Sequence, residues 1–186
     1  MELDKNKSQK SKASEMEHAI RKHCKIHFEE DPEFYKTLSE KLDSVIQKHK
    51  ENWDQLCLEL MDIRRKASEG RTEVVEGLSA KETPFFDLAK AIAFNGTDNT
   101  SGPTDEEKDS LKSCVSKMFE EFHSTIDIVN FWKNDHEIKK LRSTLTRHIL
   151  LSNIDRAIDA REKIVSEVMS LAKVRHEQIL NGKGDA

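Results

Sequence analysis

Phe34, Leu38, Leu42, Val45, His49, Trp53, Leu56, Leu60 and Ile63 follow one another at steps of three or four residues. That step is the pitch of an α-helix and does not fit the two-residue alternation of a half-buried strand. The stripe starts behind Asp31, a good N-cap, and Pro32, which suits a first helical position where its missing N–H costs nothing. It runs to about Lys66, with Gly70 as a stop. Read as one element, residues 32–66 predict a strut of about 50 Å, at 1.5 Å per residue. A helix that long needs neighbours along its length.

The same pitch recurs elsewhere. Ser14 and Glu17 have the spacing of a capping box, with Met16, Ala19, Ile20 and His23 behind them in a first helix ending near Glu30. Ser79 and Glu82 repeat the box ahead of Phe85, Leu88, Ala89 and Ile92. Thr104 and Glu107 open a helix with Leu111, Val115, Met118 and Phe122 inward. Residues 126–132 read as a short extended link or a helical turn. Asn134 caps a helix carrying Ile138, Leu141, Leu145 and Ile149. Asp155 starts the last, which runs through Ile158, Val165, Val168, Ala172 and Ile179 to Asn181 and Gly182. The expected fold is all-α: a multi-helix bundle of about six helices, one of them long, with mostly antiparallel neighbours. Residues 1–12 read as a disordered tail, residues 13–182 as one helical domain, and residues 95–103 as its flexible loop.

Composition supports this choice. Six glycines and three prolines are too few for an all-β chain, and 35% charged residues favour thin helical layers with wet outer faces. Cys24, Cys57 and Cys114 are odd in number and form no CxxC pair, so they read as buried free thiols of a reducing, cytoplasmic compartment. No stretch is apolar enough to span a membrane, and the lysine-rich N-terminus has no signal-like core.

No reactive constellation stands out. The glycine patterns that cradle phosphates are absent, as is the nucleophile elbow. His23 and His27 share a helix face and could hold a metal with Cys24 or Asp31, although the plainer reading of the spacing is a surface or interhelix histidine pair bonded to its neighbours. Glu106, Glu107 and Lys108, with Asp98 upstream, spell a nuclease-like E-x-K element. Acidic residues in a first helical turn are accounted for by the helix dipole. The net charge of −4 argues against a wholesale nucleic-acid binder. Residues 131–186, however, carry eleven Lys/Arg against eight Asp/Glu. Lys139, Lys140, Arg142, Arg147 and His148 lie on one predicted helix and could grip DNA phosphates; the plainer reading is a solvated face. Trp53 falls on the apolar stripe and is expected in the core.

Three stretches, taken in order, resemble the C-terminal helical domain of the R (restriction and motor) subunit of type I restriction enzymes. The first is residues 14–56, with Asp31, Pro32, Tyr35, Leu38, Ser39, Glu40, Leu42 and Trp53 at the matching places. The second is GLSAKETPFFDL, residues 77–88. The third is the closing helix pair, residues 131–154 and 160–180, with its LAK…HE tail; Val174 and Arg175 depart from the family there. The resemblance implies a non-catalytic assembly domain, excised or orphaned, that docks the motor and nuclease subunit onto the methyltransferase–specificity core. Its partners would be the methyltransferase and specificity subunits and DNA, with no membrane. ATP and Mg²⁺ would belong to motor and nuclease domains whose motifs this chain does not carry, leaving it without cofactor or catalytic residues. The alternative is a stand-alone DNA-binding accessory module that uses Lys139, Lys140, Arg142 and Arg147.

Overall fold

A computed structural model describes residues 8–94 and 102–181. Among the described residues the chain forms nine α-helices and one 3-10 turn, with no strand. The all-α fold read from the apolar pitch is therefore the fold observed. The span 13–182, taken above as one domain, covers parts of two compact units. One ends at Thr72 and the other begins at Glu73, and each has its own hydrophobic core.

The first unit is a three-helix bundle of α1 (Gln9–His27), α2 (Pro32–Lys48) and α3 (Trp53–Glu69). Its interior holds Ile20 and Cys24 from α1, Tyr35, Leu38, Leu42 and Val45 from α2, and Leu56, Leu60, Ile63 and Ala67 from α3. Side-chain bonds report the up–down–up order. Arg21 reaches Asp43 across α1 and α2 at 2.6 Å, and His49 at the end of α2 meets Glu59 near the start of α3 at 2.8 Å. The Cys57 thiol donates to the carbonyl of Gln9, so α1 and α3 start at the same end.

The 50 Å strut expected over residues 32–66 does not form; α2 and α3 are separate helices folded back on each other. The physical reason lies in residues 47–55, where Trp53 is the single apolar side chain. A continuous helix would have nothing to bury there, while a turn brings Leu38, Leu42 and Val45 over Leu56, Leu60 and Ile63. His49 ends α2 with φ −115° and ψ 31°, and the Asn52 side chain caps α3 by accepting the Gln55 N–H at 3.2 Å. His49 and Trp53 keep the helical step across the break without sharing a helix. Trp53 is accordingly not core: it sits at the exposed start of α3, with the Lys10 ammonium 5.6 Å from its ring centre.

The disordered tail expected over residues 1–12 is also corrected in part. Residues 1–7 lie outside the described residues, but Ser8 caps α1 and Gln9–Lys12 form its first turn. Packing along α3 supplies the neighbour that this polar turn lacks in the sequence. Ser14 and Glu17 are thus mid-helix, and Glu17 pairs with Arg21 instead of capping.

The second unit is built around α4 (Thr83–Phe94). Phe85, Phe86, Leu88, Ala89, Ala93 and Phe94 are buried on nearly all sides of it, as a helix at the centre of a bundle requires. α5 (Asp105–Thr125), α6 (Asp135–Leu150), α7 (Asp155–Asp159), α8 (Arg161–Val174) and α9 (His176–Leu180) complete the unit. Buried Thr83 pins the segment before α4, accepting the Val75 N–H and donating to the Ser79 carbonyl. The Thr104–Glu107 capping box forms in full at the start of α5. Of the loop expected over 95–103, residues 95–101 lie outside the described residues. The stretch 126–132 takes the helical option: Asn130 adopts a left-handed φ of 60° and Phe131–Lys133 make a 3-10 turn. The last helix, expected unbroken from Asp155, is three helices. At the first break Ala160 takes φ −89° and ψ 6°, and the Arg161 side chain donates to the Ile158 carbonyl at 2.9 Å.

Candidate functional site

α6 starts at Asn134, whose side chain accepts the N–H groups of His136 and Glu137. Its inner face buries Leu141, Leu145 and Ile149. By helical pitch the opposite face carries Lys139, Lys140 and Arg147, all exposed, with half-buried Arg142 on its flank. The fold therefore gathers the predicted basic residues on one side of one helix. Among the described residues no carboxylate pairs with any of these four. Other arginines are committed: Arg156 grips Glu107 at 2.8 Å and Arg71 grips Asp31 at 2.6 Å. His148 separates from the group, turning across to α5, where its Nε2 lies 3.2 Å from Glu121.

Two features beside this face were not legible in the sequence. Leu150 and Leu151 follow Arg147 by three and four residues and stay in solvent, Leu151 at 69% exposure. They share the C-terminal turn of α6 with Arg147. A cleft of about 220 Å³ opens next to them between α5 and the end of α6, lined by Ser110, Ser113, Lys117, His148, Leu151 and Asn153. Exposed Lys117 thus adds a cation from α5. Sequence spacing reports neighbours within a helix, so a cation contributed by another helix leaves no local signal.

Glu107, Lys108 and Asp31 are held by structural partners. Glu107 is taken by the Thr104 backbone N–H and by Arg156, which hold its carboxyl below the usual carboxylate range. Lys108 pairs with Asp105 at 2.8 Å, and Asp98 lies outside the described residues. Asp31 accepts the Phe34 N–H and the two-pronged Arg71 guanidinium, so it is not available beside His23 and His27. Burial pushes the Cys114 thiol up to about 11, and raises Cys24 and Cys57 as well, which leaves all three poor nucleophiles near neutrality. Among the described residues no group of three or more His, Cys, Asp or Glu side chains is arranged to hold a metal ion. No helix among them is long and apolar enough to cross a membrane.

A second exposed apolar surface belongs to the first unit. Leu58 and Met61, three apart on α3, point away from its core with 62% and 59% exposure. No family model, curated protein or solved structure matches the chain.

Proposed function

We propose that the chain is a non-catalytic helical assembly module whose principal contact face is the outer side of α6. One observation carries this reading: three exposed cations, Lys139, Lys140 and Arg147, have no carboxylate partner among the described residues and lie beside the solvent-exposed Leu150 and Leu151. Exposed apolar anchors bordered by cations suit a partner surface that is apolar at its centre and acidic at its rim.

Joined to the sequence resemblance, this face would dock a type I restriction motor and nuclease subunit onto its methyltransferase–specificity core in the cytoplasm, close to the DNA path. The test mixes the purified, folded chain with the assembled core and measures association by calorimetry. The reading expects saturable binding that Leu150→Asp with Leu151→Asp abolishes. Absence of binding by a folded chain would remove it.

That Lys139, Lys140, Arg142 and Arg147 have no carboxylate partner among the described residues also favours a second reading, a DNA-binding accessory module. Its mark is duplex affinity that falls steeply with salt, because each phosphate contact releases a counterion. Flat fluorescence anisotropy at low salt would eliminate that reading and leave the first intact.

A further inference from the structure

His23 and His27 stand one turn apart near the end of α1. In the folded unit their rings touch, with centroids 4.4 Å apart and planes inclined by 35°. Tyr35 of α2 closes the side, its ring 6.0 Å from each imidazole. Aromatic packing accounts for that contact. It does not account for Glu30, whose Oε1 lies 3.1 Å from Nδ1 of His27.

A carboxylate only accepts, so Nδ1 of His27 carries the proton and donates it. In the neutral ring the lone pair then lies on Nε2, the atom that can bind a ligand. A carboxylate behind an imidazole is the outer-shell arrangement of metal-binding histidines, where it sets the tautomer and raises the basicity of the ligating nitrogen. His23 makes no hydrogen bond among the described residues, so only its ring contacts with His27 and Tyr35 resist a turn that presents a nitrogen to the same point. Two imidazoles bound to one tetrahedral ion at about 2.0–2.1 Å would hold their ring centres about 5 Å apart. The observed 4.4 Å is shorter, so binding requires the His23 ring to swing outward by less than about 1 Å at its centre.

We propose that His23 and His27 form a two-imidazole site for one divalent ion of the zinc class, with Glu30 as the orienting carboxylate and water in the remaining positions. Imidazole nitrogen suits Zn²⁺, Ni²⁺ and Cu²⁺ over Mg²⁺ or Ca²⁺. The additional protein ligands expected from sequence are spent elsewhere. Asp31 is bound to Arg71, and Cys24 is buried in the core. The site is therefore open and two-coordinate from the protein, as the lack of any three-residue cluster among the described residues requires. Ion binding would staple the last two turns of α1 together. The site lies in the first unit, whereas the α6 face belongs to the second.

The experiment titrates Zn²⁺ into the full, EDTA-treated chain by calorimetry. One equivalent per chain is expected. His23→Ala and His27→Ala should each weaken binding at least tenfold, and Glu30→Gln about tenfold or more, the usual effect of losing an outer-shell partner. His136→Ala, on the exposed side of α6, should leave it unchanged. Circular dichroism of each metal-free variant checks folding. Should a variant fail to fold, imidazole nitrogen resonances of the unmodified chain decide: Zn²⁺ should shift Nε2 of His23 and His27 ahead of the other six of the eight histidines. No binding by the wild-type chain, binding unaffected by both histidine substitutions, or equal shifts across all eight would each overturn the proposal.

Discussion

Asp31 performs two tasks with one carboxylate. It caps α2 through the Phe34 N–H, and it holds Arg71, whose guanidinium also lies 5.6 Å from the Phe34 ring. Both members of the ion pair are largely buried. Removing Asp31 takes two charge-assisted bonds from Arg71 and the cap from α2, so Asp31→Ala should lower stability by about 2 kcal/mol in urea unfolding. The pair is in one contact network, and the double variant with Arg71→Ala should cost less than the two single losses added. The cap was legible because Asp31 and Pro32 are adjacent. Arg71 was not, since it lies forty positions away. Glu107 offers a pH signature. Its carboxyl is depressed in the folded state by the Thr104 N–H and then Arg156. A depressed carboxyl lends stability above its unfolded value and loses it as pH falls through the folded value. Urea midpoints followed from about pH 6 to about pH 3 should therefore drop less steeply in Glu107→Gln than in the wild type.

At the scale of elements, the break between α2 and α3 is the largest departure from the sequence reading. Periodicity identified both halves, because Leu38, Leu42, Leu56 and Leu60 each obey helical pitch. It could not report the reversal, because His49 and Trp53 preserve the step by coincidence. The decisive information was what is missing: residues 47–55 have little to bury, and Asn52 is a good cap. One substitution distinguishes the two arrangements. Within a continuous helix, Asn52→Ala would stabilise, since alanine has the higher helix propensity. At the start of α3 it removes the bond to the Gln55 N–H and should destabilise by about 1 kcal/mol, read from thermal or urea unfolding. The breaks at Ala160 and Arg175 were hidden for a related reason, since the core positions Ala157, Ile164, Val168, Ala172 and Ile179 keep a helical rhythm through them. The basic face of α6 was legible because all four cations lie within one helix. Lys117 was not, because it comes from α5.

At the scale of the whole molecule, the described residues form two cores that share no buried residue. A fragment of residues 73–181 should accordingly retain helical circular dichroism and melt cooperatively; an unfolded fragment would contradict an independent second core. The same scale governs binding. If the α6 face meets DNA, replacing Lys139 and Lys140 with alanine should flatten the dependence of log affinity on log salt by about two contacts' worth, measured by anisotropy. The assembly reading rests on α6 as a docking face, and hydrogen–deuterium exchange of the folded chain with and without the methyltransferase–specificity core addresses it most directly. Added core should slow exchange in the last turns of α6 and through Leu151. Unchanged exchange there at saturating core, or protection confined to other helices, would contradict the account.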